Sequence, residues 1–265
     1  MNDIKEFWNA RVEKYGHTGW SNSFIYAYDQ QARLMAVEKI LNSLSFNTSL
    51  ALDFGTGSGD FAGLLAKYFE SVIAFDISDA VIRKAKKKYG QIKNIQFIGG
   101  DNIEEIGIPF NTVDVILTVT VLDHIMADCE LTKILKYFER LLNEKGIIVA
   151  FEYALNHKKS PTSYQRFMQL EDWRLIFLNC GFSLDKFYGF YHPSEDSCES
   201  YLSYKSHMNG IKGKMLRLLA KVHHESVDKH LSKLANRYLL AKNDFWGENR
   251  PGPSPLKIMI FRKVK

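Results

Sequence analysis

The residues with the clearest chemical purpose lie in one loop, Asp53-Phe54-Gly55-Thr56-Gly57-Ser58-Gly59-Asp60. It follows the apolar run Leu50-Ala51-Leu52 and leads into a segment with helical spacing. Three alternate glycines let a backbone turn sharply and approach a ligand without a Cβ in the way, as a nucleotide-like cofactor at a strand-to-helix turn requires. Charge narrows the cofactor. From residue 40 to residue 66 there is no Lys, Arg or His, while Asp53 and Asp60 bracket the glycines. Carboxylates there would repel a pyrophosphate and attract a ligand bearing an ammonium and a sulfonium, such as S-adenosylmethionine.

A dinucleotide fingerprint spaces its glycines G-x-G-x-x-G, and here the last slot holds Asp60. A P-loop is excluded because no Gly-Lys-Ser or Gly-Lys-Thr follows. The run Val72-Ile73-Ala74-Phe75 reads as a short buried strand ending in Asp76, 21 positions after Gly55. In a doubly wound sheet that puts an acid at the carboxyl end of the second strand, where it accepts bonds from both ribose hydroxyls. Ser78 and Asp79 stand ready to cap the next helix, so Asp76 is not needed for that. A third strand over 95–98 leads into Gly99-Gly100-Asp101-Asn102, a turn whose carboxylate can face an adenine amino group. Val113 to Val119 reads as a nearly all-apolar fourth strand, buried on both faces.

Four such signals in order, at βαβ spacing over about residues 45 to 190, resemble the class I S-adenosylmethionine-dependent methyltransferases. The match extends to Val121-Leu122-Asp123-His124-Ile125, similar to the hydrophobic-His motif of the small-molecule branch. The resemblance implies an α/β fold: a doubly wound, seven-stranded Rossmann-like sheet with an antiparallel last strand, carrying an N-terminal helical cap and a helical insertion. It also implies that Asp53, Gly55, Gly57 and Gly59 receive the methionine part, that Asp76 with Ile77 holds the ribose, and that Asp101 and Asn102 face the adenine. Thr118 is counted with them.

Methyl transfer is an in-line displacement at an activated carbon, so positioning and desolvation supply much of the acceleration. A hydroxyl acceptor gains from a base near neutral pKa, and His124, after the fourth strand, is the first candidate. The alternative is that His124 only orients its loop. Glu152 and Tyr153, at the end of the fifth strand, are expected to point toward the same crevice. No Asn-Pro-Pro-Tyr-type motif follows the fourth strand, which disfavours an amino-directed nucleobase enzyme, and no cysteine sits where a C5 nucleophile belongs.

Around these residues the chain divides into an N-terminal helical cap (1–46), a cofactor-binding core (47–191), a basic helical insertion (192–255) and a closing strand (256–265). Leu131, Ile134, Leu135, Phe138, Leu141 and Leu142 draw the clearest amphipathic stripe, ended by Lys145-Gly146. The fifth strand follows over 147–151, then a helix with Leu170, Trp173 and Phe177 that stops at Gly181, and a sixth strand over 182–191. Trp8, Tyr15, Trp20, Phe24, Tyr26 and Tyr28 crowd the cap, either to exclude water from a sulfonium or to pack a helix. Residues 205–242 hold nine Lys or Arg against two acids in a chain of net charge +5, leaving the rest slightly negative. They trace a helical hairpin that is either a lid for an anionic substrate or a solvated face.

With 265 residues, 46% hydrophobic, the chain can bury one substantial core. Cys129, Cys180 and Cys198 share no metal-ligand spacing and fit reduced thiols, so no metal is expected. The start lacks the apolar stretch of a signal peptide and no run reaches the ~20 residues that cross a bilayer, so a cytoplasmic location is expected. The expected reaction is S-adenosylmethionine-dependent O-methylation of a small molecule or carbohydrate intermediate, an anionic one in the lid reading. Nucleic acid is disfavoured for want of a binding module. An RNA or protein methyltransferase and a non-catalytic cofactor-binding subunit are the alternatives.

Overall fold

The computed structural model describes residues 2–19, 23–190 and 255–264. The chain divides into two compact units. One comprises Met1–Thr18, Ser45–Phe187 and Lys257–Lys265, the other Gly19–Leu44 and Tyr188–Leu256. Residues 191–254, which carry the basic segment and its expected hairpin, lie outside the described residues, as does Trp20.

The first unit opens with helix α1 (Asn2–Tyr15) and then alternates strand and helix: β1 (Leu50–Phe54), α3 (Asp60–Leu65), β2 (Ser71–Asp76), α4 (Asp79–Tyr89), β3 (Ile95–Gly99), β4 (Val113–Val119), α5 (Asp128–Leu141), β5 (Leu142–Leu155), a two-residue β6 (Met168–Gln169), α6 (Leu170–Asn179), β7 (Phe182–Phe190) and β8 (Leu256–Lys263). The sheet order is β3-β2-β1-β4-β5-β8-β7, with β6 on β5. Strands β1 to β5 pair in parallel, and the last strand runs antiparallel. The parallel ladder needs cover on both faces, which is why β1 and β4 are almost wholly buried apolar runs. The second unit contributes α2 (Ser23–Ser43), stiffened by an Asp29–Arg33 ion pair of 2.9 Å one turn apart.

The amphipathic stripe of α5 buries Leu131, Leu135, Phe138 and Leu141 completely, and Asp128 and Glu130 in its first turn complement the helix dipole. Helix α4 is capped as its sequence suggests: Ser78 Oγ accepts from Val81 N at 3.1 Å. Gly181 ends the α6 region in the left-handed conformation (φ 90°). Two details differ from expectation. Pairing of β5 begins directly at Leu142, with a register shift opposite Val113 to Val115, so Lys145-Gly146 lies inside the strand and not at a helix end. A side chain at 146 would collide with the Val113 carbonyl 2.9 Å away, so glycine serves close strand approach there. The short β6 was not foreseen, since two residues carry no periodicity.

The core's centre is aromatic. Phe177 and Phe261 stack 3.7 Å apart at 6°, with Trp173, Phe138, Phe151 and Phe182 also fully buried. Trp173 satisfies its indole N–H on the Tyr153 carbonyl at 2.7 Å. Phe177→Ala is expected to cost about 3–5 kcal/mol of unfolding free energy, read by denaturant titration, because the stacked partner cannot collapse into the cavity. Among the described residues no helix is long and apolar enough to cross a membrane.

Candidate active site

Because β1 lies between β2 and β4 in parallel register, with Phe54 opposite both Phe75 and Thr118, the carboxyl ends of these strands form one edge. The glycine loop leaves that edge from β1. Gly55, Gly57 and Gly59 all have positive φ (76°, 54° and 78°). The amides of Gly55 and Thr56 both donate to the Phe75 carbonyl at 2.8 Å, which ties the loop to the end of β2. Asp76 completes the tie: Oδ2 accepts from Gly57 N and Oδ1 from Ser78 N, each at 3.0 Å. Asp53 lies beneath, accepting from Thr56 Oγ1 at 2.6 Å. Ile77 is half-buried beside Asp76.

The charges here are not equivalent. Burial pushes the Asp53 carboxyl up to about 7, helped by the nearby charge of Asp76 against the Thr56 hydrogen bond. Burial likewise lifts Asp76 to about 6, against the pull of its two backbone donors. Asp60 behaves oppositely. Burial alone would raise its pKa, but the Lys88 ammonium, 2.5 Å away, with hydrogen bonds from Tyr89 and Ser58, holds it below the ordinary value. The sequence expectation of an uncompensated acid at each end of the loop therefore needs correction. Lys88 arrives from the last turn of α4, and only Asp53 and Asp76 offer carboxylate to a cationic ligand at the loop.

At the far side of β2, Asp101 is exposed and accepts from Lys5 of α1 at 2.8 Å; Lys5 also pairs with Asp79 at 3.2 Å. Asn102 caps the 3₁₀ turn Ile103–Ile106 through Glu104 N at 3.0 Å. With Asn9, whose Oδ1 accepts from Ser78 Oγ at 2.6 Å, Lys5 fastens α1 to the turns that follow β2 and β3.

The second part of the site follows β4. Thr118 and Glu152 are both fully buried, and Thr118 Oγ1 donates to Glu152 Oε1 at 2.8 Å. The same carboxyl accepts from the amides of Val121 (3.1 Å) and Leu122 (3.3 Å). Glu152, expected from sequence as a reacting group at the crevice, is placed where it holds the backbone of the loop that bears His124. Burial first, and then the charge of Asp123, push its pKa well above the ordinary value. Glutamine is isosteric with glutamate and keeps one oxygen to accept from Thr118 and the two amides, so Glu152→Gln is expected to fold and bind cofactor as the parent does. Glu152→Ala strands a hydroxyl and two amides and is expected to cost about 2–4 kcal/mol, measured by chemical unfolding. Tyr153 gives its carbonyl to Trp173 and sets its ring edge-on to Phe167, 6.0 Å away.

His124 closes the short 3₁₀ turn Leu122–His124. Its Nδ1 lies 2.6 Å from the Tyr164 carbonyl. A carbonyl only accepts, so Nδ1 carries a proton, and in the neutral ring Nε2 presents a lone pair. Trp8 of α1 stands edge-on to the imidazole at 5.0 Å, and Tyr164 stacks beside it at 6.2 Å and on Phe7 at 5.4 Å. The segment between β5 and β6, unremarked in the sequence, is thus stitched to the β4 loop: Arg166 N donates to the Asp123 carbonyl (2.8 Å), Gln165 Nε2 to Asp123 Oδ2 (2.5 Å) and Arg166 Nη1 to the Ile125 carbonyl (3.1 Å). No periodic pattern marks residues 156–167, and their role comes only from these long-range bonds.

A family model described as a methyltransferase domain matches residues 51–146. Phosphoethanolamine N-methyltransferase 1 of Triticum aestivum is 33% identical over 129 residues, covering 46% of this chain and 26% of that protein. The chain thus matches about a quarter of the length of that curated relative. Among solved structures, Haemonchus contortus phosphoethanolamine N-methyltransferase 1, in complex with phosphoethanolamine and S-adenosylhomocysteine, superposes with a TM-score of 0.55 at 20% identity, over 71% of this chain and 44% of that one. A Leishmania major SAM-dependent methyltransferase gives 0.60 at 18% identity, over 74% and 78%. These likenesses to solved structures are of fold. The domain match falls on β1 through α5, the elements that carry the glycine loop and the acid at the end of β2, so residues 51–146 are a methyltransferase domain with the fold of the S-adenosylmethionine-dependent enzymes.

Proposed function

We propose that this chain transfers a methyl group from S-adenosylmethionine to a small polar acceptor, and that the acceptor is an amine carrying an anionic group. The observation that carries the reading is the glycine loop clamped onto Asp76 with Asp53 beneath it: two buried carboxylates beside a backbone that no Cβ obstructs. These residues fit the cofactor. Asp76 is the ribose acceptor, Gly55, Gly57 and Gly59 leave room for the methionine part, and Asp53 supplies negative charge near its ammonium. Asp101 with Asn102 borders the adenine position and Ile77 lines the cleft, while Thr118, fully buried, spends its hydroxyl on Glu152. The cofactor, when bound, supplies an electrophilic methyl carbon on a sulfonium.

The remaining work falls to the chain. His124 Nε2 takes the proton that the acceptor must lose, while Trp8 of α1 covers one edge of the imidazole and Tyr164 orients the ring through its carbonyl. The choice of nitrogen over the oxygen expected from sequence rests on two curated relatives named phosphoethanolamine N-methyltransferases. The basic segment 205–242 supports an anionic acceptor by its charge.

Incubation with methyl-labelled cofactor and a panel of phosphorylated amines, unphosphorylated amines, small hydroxylated compounds, RNA and protein tests this directly. Label in a phosphorylated amine is the expected result. Label confined to a hydroxyl, to RNA or to protein overturns the acceptor assignment, and no turnover with intact S-adenosylhomocysteine binding favours a non-catalytic subunit.

A further inference from the structure

Asp123 is the one residue of the β4 loop whose chemistry the transfer step leaves unused. It is completely buried, and Gln165 fixes one carboxylate oxygen, Oδ2, at 2.5 Å. The other, Oδ1, is buried without a hydrogen-bond partner among the described residues, 3.8 Å from His124 Nε2. A buried carboxylate oxygen left bare is costly unless a charge arrives to meet it. Its neighbour in the core is Glu152, whose pKa is raised by burial first and then by the charge of Asp123. Arg166, which donates to the Ile125 carbonyl beside the imidazole, is paired with Asp128. From α1 the uncharged Trp8 meets the imidazole ring edge-on.

We propose that Asp123 is the positioning residue of the acceptor site, the fixed counter-ion for the imidazolium that forms when His124 accepts the acceptor's proton. The inference rests on the proposed methyl transfer. Charge and atoms balance: the acceptor X–H bond breaks and its proton goes to Nε2, the X–C bond forms as the S–C bond breaks, and the sulfonium becomes a neutral thioether. The positive charge leaves sulfur and reappears on the imidazole, beside Oδ1. Gln165 prevents the carboxylate from rotating away, and the Tyr164 carbonyl, bonded at Nδ1, keeps the ring from flipping.

A double-mutant cycle on the full chain tests this. Asp123→Asn keeps shape and removes charge. It is expected to lower kcat on the order of 10²-fold, the scale of a general base, with the KM for S-adenosylmethionine and the calorimetric affinity for S-adenosylhomocysteine unchanged. In a His124→Gln background the same substitution should cost less than about twofold, because Asp123 acts through the histidine. The Nε2 nitrogen resonance of His124 should move in Asp123→Asn, while that of Nδ1 stays. Should Asp123→Asn not fold, Gln165→Leu, which frees the carboxylate to turn, is expected to show the same non-additivity with His124→Gln. Equal losses in both backgrounds, or unaltered turnover in either single variant at the pair, overturn the proposal. Wild-type protein that binds S-adenosylhomocysteine but methylates nothing refutes the functional reading instead.

Discussion

Gly55→Val is expected to abolish detectable binding of S-adenosylhomocysteine and to lower the melting temperature. Residue 55 has φ 76°, where a β-branched side chain is strained, and a Cβ there would run into both γ-methyls of Val121. Val121 has little room to retreat, because its amide is held by Glu152. Left-handed strain of about 1–2 kcal/mol and overpacking of about 1–3 kcal/mol therefore add at one point. The distortion moves the loop whose neighbouring amides bond to Phe75, so affinity falls more than stability does, on the order of 10²-fold or beyond. Gly107 gives the control. It has nearly the same φ, 70°, but nothing lies within 4 Å of where its Cβ would stand. Gly107→Val should show the conformational cost in a thermal melt while leaving calorimetric binding intact. Equal binding losses in the two variants would assign the effect to folding and refute the cradle.

The second large effect is on pH. Asp53 and Asp76 sit at about 7 and about 6, above the ordinary 3.8. The folded protein therefore keeps protons that the unfolded chain releases. Between about pH 4 and pH 7 these two groups favour the folded state less and less as pH rises, and below pH 4 their full contribution is present. Cofactor binding should run the other way, since ribose hydroxyls and an ammonium need the charged carboxylates. Affinity for S-adenosylhomocysteine is expected to improve on the order of tenfold from pH 5.5 to pH 7.5, with protons released on binding. Isothermal titration in buffers of different ionisation enthalpy reads both quantities. Asp76→Asn should weaken binding at every pH and remove part of the slope. A flat profile, or proton uptake on binding, contradicts the assignment of these carboxylates to the cofactor.

The loop proposed to hold the cofactor was legible as a strand-to-helix turn because its determinants are local. Asp53, the alternating glycines, and the acid closing an apolar run at Asp76 are fixed by what a strand-to-helix turn needs, within about 25 residues of chain. The amphipathic α5 and the all-apolar β4 were readable for the same reason, since burial imposes a period that composition must obey. The acceptor half was only partly so. His124 and Glu152 could be named, but not that one carboxyl would be buried beneath the other's loop with Thr118, nor that Tyr164, Gln165 and Arg166 would fold back across 40 residues to fix the imidazole and Asp123. A separation of 28 residues likewise hid Lys88 from Asp60. The chain's own pattern thus determined the sheet, its turn chemistry and the family. Tertiary structure alone decided which charges are neutralised and which remain, because a hydrogen bond or ion pair between distant segments depends on where the folded backbone brings them and leaves no spacing in the sequence.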